Sequence, residues 1–255
     1  MKDIMANSAI MKLAKNEPMT AQKKKFTYLA KGVGAYWVSE TERIQTSKPE
    51  YAQAEMEAKK IGVIIPLSKE FLKWTAKDFF NEVKPLIAEA FYKAFDQAVI
   101  FGTKSPYNTS TSGKPLVEGA EEKGNVVTDT NNLYVDLSAL MATIEDEELD
   151  PNGTIIDANG NEIMGLPLSY TGADVYDKKK SLALMGDWDY ARYGILQGIE
   201  YAISEDATLT TLQASDASGQ PVSLFERDMF ALRATMHIAY MNVKPEAFAT
   251  LKPTE

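Results

Sequence analysis

One histidine, His237, and no cysteine are what this chain of 255 residues offers to nucleophilic or metal chemistry. A catalytic base needs a nucleophile or carboxylate held beside it, and nothing around Arg233, Thr235 and His237 identifies one. A structural histidine is the expected role. Without cysteine there is no disulfide, no thiolate chemistry and no zinc site of the usual Cys type. The run Asp157-Ala158-Asn159-Gly160-Asn161-Glu162 begins like a calcium loop, but its glycine is fourth rather than sixth and no glutamate is twelfth, so a turn is expected. Gly32-Val33-Gly34 lacks the third glycine and the following helix of a dinucleotide fingerprint, and no phosphate-binding loop occurs. Trp37, Trp74 and Trp188 fall in separate elements and give no base-stacking platform. The acidic group from Glu145 to Asp150 reads as a solvated helix end before it reads as a divalent-ion site. No catalytic residue, cofactor or metal is therefore expected, and the chain does not read as an enzyme. A metal-dependent enzyme using Glu147 and Glu148 is a distant alternative.

Composition narrows the classes further. A hydrophobic fraction of 45% supports a sizeable core, in one large domain or two modest ones. No run approaches the ~20 apolar residues of a membrane span, and Met1 is not followed by a signal-peptide core, so a soluble protein made inside the cell is expected. A net charge of -9 argues against tight wrapping of nucleic acid, which draws on surplus Lys and Arg. Any DNA contact is expected to be weak or confined to a patch. The first 25 residues are one such patch, rich in lysine, and read as a solvated arm or as an arm that docks on partners or an acidic cargo.

The elements that would position side chains follow from periodicity. Residues 35–68 form a polar excursion from Ala35-Tyr36-Trp37-Val38-Ser39-Glu40 to Lys59-Lys60-Ile61-Gly62-Val63-Ile64-Ile65-Pro66-Leu67-Ser68, which reads as a two-stranded arm. An isolated ribbon is marginal in water, so a neighbouring molecule is its natural support. From Ser68 to Gly102 apolar residues recur at helical spacing, with a capping signal at Thr75 and Asp78 suggesting a second start, and Pro85 expected to kink or begin the helix. A second helix is expected from Leu133 to Ile144, capped from Thr130, Asn131 or Asn132. Residues 150–165 read as turns. Residues 182–187 and 194–203 read as short strands of a small mixed lobe spanning 133–203. From Phe230 to Tyr240 strict alternation marks a long strand, with Phe248 and Leu251 as a final apolar anchor.

Tyr36-Trp37-Val38-Ser39-Glu40, the return from Lys59 to Leu72, the helix ending Phe95-Asp96-Gln97-Ala98-Val99-Ile100-Phe101-Gly102, and the ending that includes Ala231-Leu232-Arg233-Ala234 and Lys244-Pro245-Glu246-Ala247-Phe248 together resemble tailed-bacteriophage major capsid proteins of the Hong Kong ninety-seven fold. The resemblance implies an α+β fold with an N-terminal arm (1–25), an extended loop (26–67), a spine helix and peripheral domain (68–132), a mixed α/β axial domain (133–204) and a return to the peripheral domain (205–255). It implies a structural shell subunit that self-assembles into hexamers and pentamers around double-stranded DNA, in a virion built in the host bacterial cytoplasm. Separate scaffolding, portal and decoration proteins are possible partners, and no membrane is involved. Trp37, Glu40, Arg43 and Lys48 are the expected subunit-interface residues. Some relatives cross-link covalently, but the corresponding positions here are Asp228 and Thr235, so a shell without covalent cross-links is expected. The 150–165 segment is shorter than in relatives, and no long cleaved scaffolding domain is evident at the N-terminus. An encapsulin-type compartment, with the same fold and a protein cargo, is the alternative.

Overall fold

The computed structural model describes residues 7–31, 37–40, 43, 46–107, 113–156, 162–171, 175–210 and 222–254. Its axis is one helix, Lys69–Ile100 (α2), of 32 residues. Ser68 caps it, accepting the Glu70 N–H at 3.2 Å, so no second start near Thr75 is needed. Pro85 neither starts nor interrupts it. The N–H that proline removes would have bonded the Asn81 carbonyl, and Asn81 and Pro85 lie on the exposed face of the helix, where the loss of that bond costs least. The opposite face buries Val83, Ile87, Phe91, Phe95 and Val99. Gly102 ends the helix in the left-handed region, φ 70°.

Two sheets pack with this helix in one continuous core. The first has four strands in the order Lys15–Asn16, Ala191–Ser204, Met229–Asn242 and Lys59–Ser68. The alternating strand expected near 230–240 is its centre, bonded on both sides. The strand expected at 194–203 is longer, Ala191–Ser204, and it pairs with Met229–Asn242 rather than with the middle lobe. The second sheet has six strands: Val126–Thr128, Phe248–Lys252, Ala183–Gly186, Gly153–Ile156, Leu166–Ser169 and Glu162–Ile163. Phe248–Lys252 belongs to this second sheet, and Phe248 and Leu251 are buried there. Helices Leu116–Lys123 (α3) and Leu133–Glu145 (α4) pack on it, α4 capped by Asn132.

Three expectations are corrected. The described part of the N-terminus is no solvated arm. Ala9–Leu13 (α1) is a helix whose Ala9, Ile10 and Met11 are buried, and Lys15–Asn16 extends the four-stranded sheet. The lysines Lys12 and Lys15 stay exposed while the apolar side docks, an amphipathic arrangement that a charge count overlooks. The segment 150–165 is not all turn: Gly153–Ile156 is a fully buried strand, too short for its periodicity to stand out between turn-forming residues. The two-stranded arm is built from Lys23–Lys31 and Glu50–Glu57, whereas Lys59–Ser68 bonds to Met229–Asn242. The opening tract Ala35 and Tyr36, like the loop at 157–161, lies outside the described residues. Among the described residues, no helix is long and apolar enough to cross a membrane.

Candidate functional site

The ribbon Lys23–Lys31/Glu50–Glu57 stands outside both large sheets, as does the short pair Thr208–Leu209/Val222–Ser223. Among the described residues the ribbon's strands pair only with each other. Opposite charges face across it: Lys25 lies directly opposite Glu55 at 3.6 Å, and Lys23 reaches the same carboxylate at 3.5 Å. Such cross-strand pairs set register more than they add stability.

The ribbon's root is fastened to the body by a small separate core of Met19, Met56, Ala58 and Ala239, with Phe26, Leu196 and Met241 packed against it. Arg192 of the crossing strand lies over the Phe26 ring, 4.9 Å from its centroid, and pairs with Glu17. Glu17 also holds Lys24 at 3.0 Å. Burial pushes the Glu17 carboxyl upward, but Lys24 and Arg192 together outweigh it and hold the group below the usual carboxylate range. Sequence reasoning missed this root. The alternation of Phe26 and Tyr28 was its one visible signal, obscured by the lysines around it.

Beyond the root the ribbon exposes apolar surface on Leu29 and Tyr51, and Val38 follows in the loop. Trp37 is 105% exposed, a large aromatic with no shelter among the described residues. Glu40, Arg43 and Lys48 are exposed as well. All four expected interface residues thus fall in the span between the ribbon strands, and the fold brings none of them onto its own body. Beside the root, a groove of about 480 Å³ runs between α2 and the return strand, lined by Lys60, Ile61, Ala94, Ala98, Lys104 and Tyr107 among others.

His237 stands opposite Lys60 on one side and Gln197 on the other, and its Nδ1 is buried without a hydrogen-bond partner among the described residues. Among the described residues no three His, Asp or Glu side chains gather to hold a metal ion. Asp228, at φ 50°, is paired with Lys69 at 3.5 Å, and Thr235 sits between Gly62 and Glu200 on the sheet.

The body thus extends a charged ribbon that leaves Leu29, Tyr51 and, in the span beyond it, Trp37 exposed. The profile of the phage capsid family matches residues 1–156. Across all of its length the chain is 40% identical to the major capsid protein of Staphylococcus phage 80alpha, spanning 82% of that protein. It is 22% identical to a probable major capsid protein of Mycobacterium phage D29 over 96% of this chain and 84% of that one. A solved chain from Microbacterium phage Oxtober96 superposes with a TM-score of 0.77 at 24% identity, covering 97% of this chain and 91% of that one. A chain titled as the capsid of an empty GTA particle superposes with a TM-score of 0.62 at 12% identity, over 97% of this chain and 90% of that one. These two superpositions speak to the fold alone. The chain belongs to the phage capsid family: it is a structural shell subunit of the tailed-bacteriophage major capsid type, with the Hong Kong ninety-seven fold. The encapsulin alternative is not favoured.

Proposed function

We propose that this subunit closes into an icosahedral shell of hexamers and pentamers around double-stranded DNA, held by non-covalent contacts. The observation that carries the reading is the ribbon, bonded only to itself and tipped by the fully exposed Trp37. In the assembly it lies along a neighbour's α2, where the groove beside Ile61, Ala94 and Ala98 offers an apolar seat. Trp37 supplies buried area there, and Glu40, Arg43 and Lys48 set register and partner choice more than strength. The six-stranded lobe serves as the axial domain, and α2 with the four-stranded sheet as the peripheral domain.

Each contact is modest, and closed symmetry makes many of them cooperate. The non-covalent reading is supported by Asp228, which offers no amide to a lysine and already pairs with Lys69. A subunit of net charge -9 leaves the packaged duplex free to move during filling. Scaffolding, portal and decoration functions fall to separate proteins, and the subunit performs no catalysis. It is made in the host bacterial cytoplasm and ends in the virion. Light scattering with electron micrographs of the purified chain tests this: shells, tubes or rings are expected, and a protein that stays monomeric under all assembly conditions contradicts it.

A further inference from the structure

The six-stranded lobe carries opposite charge at its two ends, and strand register fixes which residues lie at which end. Gly186 stands opposite both Gly153 and Phe248, so Asp150, Asp187 and Asp189 gather at that end. Ala183 stands opposite Ile156 and Leu251, which places Lys178, Lys179, Lys180 and Lys252 at the other end. These lysines line a shallow hollow of about 530 Å³. Helix α4 runs between the two ends. Its start is tied to the basic end, where the Asp129 N–H donates to the Lys252 carbonyl at 2.8 Å and the Thr254 hydroxyl donates to the Asp129 carbonyl at 2.6 Å. Its C-terminus delivers Glu145, Asp146, Glu147 and Glu148 to the acidic end, about 20 Å away at 1.5 Å per residue.

Among the described residues, each end keeps charges that no ion pair of its own chain takes up. Four carboxylates at a helix C-terminus oppose the helix dipole, and among the described residues none of them is salt-bridged. The cation whose field Glu147 shares, Lys123, is held by Glu246. Burial pushes the Asp187 carboxyl up, and the charges of Asp189 and Asp150 push it further, a sign of crowded negative charge. At the basic end Lys252 is engaged by Glu121 at 3.0 Å, and the Asp177 carboxylate accepts the Lys179 backbone N–H, but neither Lys179 nor Lys180 has a carboxylate partner for its ammonium among the described residues. The same end exposes Leu133, Tyr134 and Val135 in succession. A phosphate backbone needs cations and polar donors, whereas an exposed Tyr flanked by aliphatic side chains suits a protein surface.

We propose that the basic and apolar end of this lobe, at Lys179, Lys180 and Tyr134, docks on the acidic end, at Glu147 and Glu148, of a second copy of the chain. Because the two surfaces differ, the contact is head-to-tail, and repetition of such a contact generates a ring or an open filament. Two like ends repel, so the same charges that attract the correct end reject the reversed orientation. The inference rests on the shell reading and adds to it the residues that choose orientation between adjacent lobes.

Charge exchange in the full-length chain is the test, read by sedimentation velocity at about 0.1 M salt, where charges ~10 Å apart still interact. Lys179→Glu with Lys180→Glu, or Glu147→Lys with Glu148→Lys, is expected to weaken assembly about tenfold or more while the thermal midpoint of the subunit holds. All four substitutions in one chain restore assembly, because the exchanged ends match each other, and that chain does not co-assemble with the unaltered one. Assembly of either two-site variant at the original strength overturns the inference and leaves the shell reading intact, as does a four-site chain no better than the two-site ones. Loss of DNA binding without loss of assembly in the lysine variant overturns it in favour of a nucleic-acid surface. An unaltered chain that never assembles removes both.

Discussion

The body and the ribbon solve the problem of apolar surface in opposite ways. In the body, strands that differ widely in sequence position bury their side chains against α2 and against each other, so that Trp188, Tyr193, Tyr240 and Phe248 are all but inaccessible to water. In the ribbon, neighbouring strands bond to one another, Phe26 and Met56 are covered at the root, and Leu29, Tyr51 and Trp37 are left outside. The contrast teaches that stability and assembly reside in separable parts of one chain. Substitutions in the body are expected to change whether the subunit folds, and substitutions in the ribbon to change what the folded subunit does.

The largest effect tests the body. Phe248 is fully buried edge-on against Trp188, with ring centroids 5.1 Å apart, and Phe248→Ala is expected to cost about 3–5 kcal/mol in urea unfolding. Trp37→Ala is the counterpart in the ribbon. It is expected to leave the unfolding midpoint of the free subunit unchanged, and to weaken each contact by roughly 2 kcal/mol if Trp37 is an interface anchor, read as a higher protein concentration for assembly. Loss of stability with Trp37→Ala, or normal assembly, breaks the comparison.

Asp96 sharpens it, because it ties the N-terminal segment to the spine. Its buried carboxylate accepts the Ser8 hydroxyl at 2.6 Å and the Ala9 N–H at 2.9 Å. Burial raises its pKa from 3.8 to about 7, with the hydrogen bonds from Ser8 and from the Ala9 and Ile10 backbone acting against the shift. A carboxyl raised on folding binds its proton more tightly in the folded state. The stability linked to it is fully present below about pH 3.8 and is lost as pH rises through about 7. Between about pH 4 and 7 the unfolding midpoint is therefore expected to fall, levelling above about pH 7, and Asp96→Asn to flatten that slope. Asp96→Ala leaves the Ser8 and Ala9 donors without their acceptor and is expected to cost about 1–3 kcal/mol.

The smallest effect lies in the ribbon's charge ladder. Lys25→Glu places like charges directly opposite at Glu55 and is expected to change stability by less than about 1 kcal/mol, seen as faster amide exchange confined to the ribbon.

The body's long elements were legible because their periods are sustained. Helix α2 keeps a helical spacing over 32 residues, and the alternation of Phe230 to Tyr240 lies within the 14-residue strand Met229–Asn242. What sequence could not resolve was partnership. Lys59–Ser68 has the composition of either ribbon or sheet, and only the bonded register with Met229–Asn242 decides it. Gly153–Ile156 is four residues long and buried on both faces, so it shows no alternation. Helix α3 escaped because Leu116–Lys123 spans barely two turns, although Gly124 at φ 82° marks its end as glycine commonly does. At the candidate site, Trp37, Glu40, Arg43 and Lys48 drew notice by their types, while the root built from Glu17, Phe26 and Arg192 depends on a contact between residues far apart in the chain.

The central claim is that the ribbon finds on a neighbour the cover it lacks on its own body. Hydrogen–deuterium exchange of the ribbon strands in the free subunit and in the assembled shell tests it most directly. The account predicts rapid exchange of the Lys23–Lys31 and Glu50–Glu57 amides in the free subunit and strong protection after assembly, with the Met229–Asn242 amides protected in both. Equal exchange of the ribbon in the two states would contradict it.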